Sequence, residues 1–178
     1  RRGEVLRAVI DEADKRRDGV LPMDIPGVAE TFGDELTLVG ALQLRWHTKL
    51  AGMIERGLME RPGDLEAAVL SAWRRTATEL AGIRAILDAY TEAPTSEAMA
   101  RVLDKAHRKD WALMAAMAGR SSTPDAHGVN AGRDIEARAR AAYRPTVAVP
   151  SMALPRGRHR SGPGRESLLE RIRAHLAA

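Results

Sequence analysis

Apolar residues recur at helical spacing most clearly over residues 34–59. At about 100° per residue they form a single stripe, and Asp34 stands where the first turn needs an N-cap. The stripe consists of Leu36, Val39, Leu42, Trp46, Leu50, Met53 and Ile54. Pro62 and Gly63 follow the stretch and disfavour continuation of a helix. The pattern therefore predicts one long helix with a single apolar face.

Three further stretches show the same periodicity, at residues 3–17, 64–92 and 95–118. The stretch 64–92 is predicted to be one continuous helix. Because the connections between the last three helices are short, these helices are expected to be antiparallel neighbours. Aromatic residues make up only 3% of the chain, so aliphatic side chains and Met must form the core. The sequence therefore predicts an all-α, up-and-down bundle of three to four long helices over residues 1–119.

The chain changes character after residue 119. Residues 121–132 are rich in Ser, Gly, Pro and Asn, which favour loop conformations. A short helix is predicted at about 133–143, an extended stretch between Pro145 and Pro163, and a short amphipathic helix at 166–178. We therefore predict that residues 120–178 form a basic linker and C-terminal arm.

The net charge of +4 is unevenly distributed along the chain. Residues 1–119 hold 17 basic and 19 acidic side chains, whereas residues 120–178 hold 11 basic and 5 acidic ones. Much of the positive charge of the arm comes from Arg156, Arg158, Arg160 and Arg165. Such an arginine cluster can bind the phosphates of a nucleic acid or an acidic protein surface, or it can be a solvated linker. Because no aromatic residue lies among the arginines, stacking on single-stranded bases is not expected.

The predicted arm also carries apolar residues that have no local packing partner. They are Val147, Val149, Met152 and Leu154 in the extended stretch, and Leu168, Leu169, Ile172 and Leu176 in the terminal helix. Extended anchors followed by an amphipathic helix are typical of a segment that docks into a partner's groove. The alternative is that the arm folds back on its own bundle.

Polar residues interrupt the apolar stripes of the predicted bundle. They are Gln43, His47, Thr76, Glu79 and Asp110, with His107 at the flank. Because buried polar side chains need partners, we predict a hydrogen-bond network between helices, for example between His47 and Glu79. The alternative is a metal or acid–base site around His47, Glu79 and Asp110. The paired Glu-x-x-His motif of bundle metal sites is absent, which favours the network.

Several classes of function leave signatures that this sequence lacks. It contains no cysteine, no Walker loop, no zinc-finger spacing and no run of 18 uncharged apolar residues. Together with the lack of an apolar leader, this predicts a cytoplasmic protein without a membrane span, a cofactor or an identified small-molecule substrate. The preference for Arg and Ala is typical of a GC-rich bacterial genome.

We expect a non-enzymatic interaction or assembly subunit whose C-terminal arm docks onto a larger complex or onto a second copy of the chain. The first alternative is a nucleic-acid-associated factor that binds phosphates through the arginine cluster. The second alternative is the metal or acid–base site inside the bundle.

Overall fold

The computed structural model describes residues 1–123 and 125–144 of the chain. Its helices are α1 (Arg2–Arg16), α2 (Val28–Phe32), α3 (Glu35–Glu60), α4 (Leu65–Glu79), α5 (Ala81–Glu92), α6 (Glu97–Met117) and α7 (Ala126–Ala141). No β-strand occurs among the described residues, which confirms the predicted all-α class for this part of the chain. The apolar arm residues, the arginine cluster and the helix predicted at 166–178 lie outside the described residues.

Helix α3 corresponds to the clearest helix of the sequence pattern. Asp34 accepts a 2.7 Å hydrogen bond from the backbone N–H of Thr37, which confirms the predicted N-cap. One face of α3 is buried through Leu38, Val39, Leu42, Trp46, Leu50 and Ile54. The buried face of α3 packs against α4, α5 and α6.

The helix predicted over residues 64–92 is two helices, α4 and α5, which meet at Leu80. Leu80 has φ −119° and ψ 43°, outside helical geometry. Helix α1 contacts the first turn of α5, where Asp14 Oδ1 accepts a 2.7 Å hydrogen bond from the backbone N–H of Gly82. A Cβ on Gly82 would lie 2.2 Å from the carbonyl carbon of Ala13, so only glycine permits this approach. The prediction of one helix is wrong because a contact from another helix defines a second N-terminus here.

Helix α7 is longer than the predicted helix at 133–143, and it packs against α6 and α4. Its start is capped by Asp125, which accepts a 2.9 Å hydrogen bond from the N–H of Gly128. A Cβ on Gly132 would lie 1.9 Å from the carbonyl oxygen of Trp111, so the two helix backbones nearly touch. The described residues therefore belong to one compact unit, and α7 is part of that unit.

Aromatic side chains join α3, α4 and the end of α7. The ring centroids of Trp46 and Trp73 lie 5.8 Å apart in an edge-to-face arrangement, and Trp73 and Tyr143 repeat it at 5.8 Å. The hydroxyl of Tyr143 donates a 3.0 Å hydrogen bond to the backbone carbonyl of Ala77. Both tryptophans are 1% exposed, so they are core residues.

Candidate functional site

A buried carboxylate joins α3 to α6. Asp110 accepts a 3.0 Å hydrogen bond from Gln43 Nε2 at one oxygen and lies 2.5 Å from His47 Nδ1 at the other. Gln43 and His47 are one turn apart on α3, which lets them reach separate oxygens of one carboxylate. An ionised carboxylate only accepts, so the Nδ1 atom of His47 carries the proton. We call these three residues the carboxylate cluster.

Burial differs within the carboxylate cluster. The side chain of Asp110 is 4% exposed, whereas that of His47 is 21% exposed. The Oε1 atom of Gln43 is buried without a hydrogen-bond partner. Since both oxygens of Asp110 are engaged, its charge is stabilised inside the protein. The carboxylate cluster therefore joins α3 to α6 through a buried carboxylate, and the imidazole of His47 lies at the edge of the buried region.

Two residues of the predicted network do not join the carboxylate cluster. Thr76 is buried, but its hydroxyl donates a 2.8 Å hydrogen bond to the carbonyl of Ala72 in its own helix. Glu79 is exposed at the end of α4 and forms an ion pair with Lys49 at 2.5 Å. The carboxylate of Glu79 stays at the surface because water and Lys49 stabilise its charge there. The pairing of His47 with Glu79 is thus replaced by the pairing of His47 with Asp110.

The separation of Glu79 also removes one member of the predicted metal site. In residues 1–123 and 125–144, no group of three or more His, Asp or Glu side chains is arranged to hold a metal ion. Structural and catalytic zinc sites use at least three protein ligands. The residues that remain, His47 and Asp110, form a two-residue pair suited to orienting an imidazole.

A cavity of about 210 Å³ opens beside the carboxylate cluster, between α3 and α6. Its walls are largely apolar and include Leu44, Val102 and Ala106. Leu44 is 64% exposed, which is high for a leucine next to a cavity. A Cβ on Gly40 would meet nothing within 4 Å, so this glycine leaves space that no other part of the fold uses.

A second depression of about 500 Å³ lies on the other side of Leu44, between α3 and α1. Its lining includes Leu6 and Ala41, and it shares Gly40 and Leu44 with the first cavity. The two depressions therefore adjoin on the outer face of α3. We call them together the α3 groove, with Leu44 as the ridge between its two halves.

Basic side chains line the edge of the α3 groove. Arg2 and Arg45 line the half beside α1, and Lys109 lines the half beside α6. Among the described residues, Arg45 and Lys109 form no ion pair, and Asp110 is already engaged by His47. The groove thus combines an apolar centre with a positive edge.

The structure also contains a polar region that the sequence patterns did not reveal. Arg84 is 2% exposed, and its guanidinium carbon lies 4.5 Å from the centre of the Trp46 ring. Its Nη2 atom approaches Asp88 Oδ1 at 2.8 Å, as an ion pair whose geometry is not that of a hydrogen bond. The spacing of four residues between Arg84 and Asp88, and between Glu136 and Arg140, is the signal that could have indicated this region.

Comparisons with protein-family models, with curated proteins and with solved structures found no match to this chain. Among the described helices, none combines the length and the apolar character that a membrane crossing requires.

Proposed function

We propose that the protein is a non-enzymatic interaction subunit that binds an apolar, acid-flanked helix of a partner protein in the α3 groove. The observation that supports this most is the exposure of Leu44 between two adjoining depressions. Single exposed leucines are common on protein surfaces. An exposed leucine between two adjoining depressions with apolar walls resembles the grooves into which amphipathic helices dock.

The apolar part of the groove supplies the driving force for association. Leu44 and Val102 are 64% and 38% exposed and lie at the same cavity. Burying a leucine side chain contributes about 1.5–3 kcal/mol relative to leaving it in water. The space above Gly40 accepts a side chain from the partner, because no atom of the fold would contact a Cβ placed there.

The charge at the groove edge determines what kind of partner fits. Arg45 and Lys109 have no carboxylate partner among the described residues, so a partner with Asp or Glu beside its apolar residues complements them. Residues 145–178 carry six arginines and two glutamates, so the chain's own arm has the wrong charge for this groove. An acidic segment of a different protein is therefore the better complement.

A pair of synthetic helical peptides tests the proposal. One has leucines along one face and glutamates at its flanks, and the other has lysines in place of the glutamates. Fluorescence anisotropy should show that the full chain binds the glutamate peptide at least about tenfold more tightly, a difference of roughly 1.4 kcal/mol. Equal binding of the two peptides would contradict the charge argument.

Two glycine substitutions on α3 provide a matched test of position. A Cβ added at Gly40 or at Gly52 would have no atom within 4 Å, so leucine fits at both positions without a clash. Gly40→Leu should fill the groove and abolish peptide binding, whereas Gly52→Leu should leave it unchanged. If light scattering instead shows a dimer that only Gly40→Leu disrupts, the occupant is a second copy, and the acidic partner is excluded.

The predicted C-terminal arm is proposed as a separate attachment point. Removal of residues 145–178 should abolish assembly with a larger complex or a second copy, while peptide binding in the α3 groove persists. Light scattering and anisotropy on the same truncated chain measure the two properties. An unchanged assembly state after truncation would remove the arm from the proposal.

The pairing of His47 with Asp110 favours one further candidate, which is proton transfer at His47. Asp110 holds Nδ1 at 2.5 Å, and Nε2 has no hydrogen-bond partner among the described residues. An oriented imidazole of this kind can act as a general base. Hydrolysis of 4-nitrophenyl acetate should then fall in His47→Gln but not in His127→Gln, which changes an exposed histidine. Equal rates in all three proteins would rule this candidate out.

A further inference from the structure

A cleft of about 320 Å³ lies between α5, α6 and α7, on the side of α6 that carries His107 and Trp111. Its floor is formed by His107 and Trp111 of α6. Its walls are Asp88 and Thr91 of α5, and Arg133, Glu136, Ala137 and Arg140 of α7. Its volume is at the lower end of the range of small-molecule sites, which begins at about 300 Å³. We call it the α6–α7 cleft.

The carboxylates of the α6–α7 cleft are already fully engaged. Asp88 accepts hydrogen bonds of 3.1 and 2.9 Å from Arg140, and Arg84 forms an ion pair with it. Burial raises the pKa of Asp88, but the charge of Arg84 and the hydrogen bonds from Arg140 outweigh this and lower it. Glu136 accepts hydrogen bonds from the indole N–H of Trp111 and, at 2.7 Å, from Arg140 Nε. A cationic ligand would therefore find no free carboxylate here.

One cation of the cleft is not neutralised. The guanidinium carbon of Arg133 lies 4.7 Å from the centre of the Trp111 ring. Among the described residues, Arg133 forms neither an ion pair nor a hydrogen bond with a carboxylate. The positive charges of Arg84 and Arg140 balance the negative charges of Asp88 and Glu136. The region therefore keeps one net positive charge, which is that of Arg133. A guanidinium that lies over an aromatic ring keeps N–H groups available for a two-pronged bond to a carboxylate.

Two aromatic rings lie at the floor of the cleft. The rings of His107 and Trp111 are stacked, with centroids 5.6 Å apart and an interplanar angle of 20°. Burial, followed by the charge of Arg84, lowers the pKa of His107, so its imidazole is neutral at pH 7. His107 is 8% exposed, and its Nε2 atom is buried without a hydrogen-bond partner. A buried nitrogen without a hydrogen-bond partner is uncommon in folded proteins, so packing alone does not explain a histidine at position 107.

We propose that the α6–α7 cleft binds a small planar carboxylate, with its anionic group on Arg133 and its flat part beside Trp111 and His107. One unpaired arginine matches a single negative charge. The faces of His107 and Trp111 that stack on each other are closed to a ligand, so a planar ring meets the exposed part of Trp111 through an edge-to-face contact that a branched aliphatic ligand does not make. The site shares no lining residue with the α3 groove, so it can be tested separately from the proposed partner interaction.

Benzoate is a suitable probe, and benzamide is its uncharged control of the same shape. The full chain contains three tryptophans, so a ¹H–¹⁵N spectrum has three indole signals. Trp111→Phe identifies the signal of Trp111. Benzoate should shift this signal in a saturable way with a Kd on the order of 1 mM, whereas benzamide should not. Cyclohexanecarboxylate, a non-planar anion, should bind more weakly than benzoate.

Arg133→Gln should weaken benzoate binding about tenfold or more, because it removes the charge that the carboxylate contacts. Arg138→Gln is the matched control, since Arg138 is exposed on the same helix and pairs with Glu66 outside the cleft. The assignment would be overturned by equal shifts with benzoate and benzamide, by a response that does not saturate, or by unchanged affinity in Arg133→Gln. Unchanged indole signals of Trp46 and Trp73 in the variants verify that the core is intact.

Discussion

The two faces of α6 use similar residues in different ways. On one face, Asp110 binds two side chains of α3 through a single buried carboxylate, and the adjoining space is apolar. On the other face, Asp88 and Glu136 share arginines in an open cleft, and one arginine is left over. Asp110 and His107 are only three residues apart, so the two regions lie on adjoining sides of α6. Burial and the number of partners therefore decide whether a charged group holds helices together or remains free to meet a ligand.

Removing the buried carboxylate should have the largest effect. Asp110→Ala leaves Gln43 and His47 without their acceptor inside the protein and opens a small void. We expect the free energy of unfolding to fall by about 3 kcal/mol, because a buried, fully bonded charge is lost together with its partners' bonds. Urea denaturation measures this change.

Asp104→Ala is the control for that prediction. Asp104 lies on the same helix, is 57% exposed and pairs with Arg108 at 2.7 Å. Exposed pairs of this kind contribute about 0.5 kcal/mol or less. Losses of similar size in Asp104→Ala and Asp110→Ala would mean that the carboxylate cluster does not stabilise the contact between α3 and α6.

Separating α7 from α6 should have an intermediate effect on stability, and it should change ligand binding only in the α6–α7 cleft. In Gly132→Ala the new Cβ would lie 1.9 Å from the carbonyl oxygen of Trp111, so the helices must move apart. We expect the free energy of unfolding to fall by about 2 kcal/mol, because a clash with backbone atoms cannot be relieved by rotating a side chain. Benzoate binding should disappear while peptide binding in the α3 groove persists. Loss of both activities would show that the two faces of α6 are not independent.

The smallest effect should come from Asp88 and should depend on pH. The pKa of Asp88 is lower in the folded protein than the unfolded-state value of 3.8. The ion pairs of Asp88 therefore stabilise the fold at pH values above 3.8. This stabilisation is lost as the pH falls through the folded-state pKa. Asp88 is 43% exposed, so the gap in stability between wild type and Asp88→Asn should be about 1 kcal/mol or less at pH 7. Denaturation series from about pH 5 to pH 2 should show this gap narrowing. A gap that is constant over this range would contradict the role assigned to the Arg84 and Arg140 ion pairs.

The sequence correctly predicted the helix features that are determined by neighbouring residues. The periodicity of α3 and the cap at Asp34 are set by neighbouring residues, and both are confirmed. The break at Leu80 was not predictable in this way, because leucine favours helix and the contact that starts α5 comes from Asp14 on α1. The packing of α7 was also missed, since Gly132 lets the helices approach without a wide apolar stripe.

The candidate sites were predictable only in part. A helical projection placed Gln43, His47 and Asp110 on inward faces, and the structure brings them together. The same projection placed Glu79 with them, but it cannot give the height of a residue along the bundle or the competition from Lys49. The α6–α7 cleft depends on the position of α7, so its residues could not be grouped before that helix was placed.

The hydrogen bond between Asp14 and Gly82 spans 68 residues of sequence. The amide of Gly82 is therefore protected from exchange with solvent deuterium only while α1 is docked. Undocking of α1 would free the N-terminus of α5 and remove the close contact at Ala13, while the packing of α5 against α3, α4 and α6 can persist. A single backbone amide near the middle of the chain therefore reports on the attachment of its first helix.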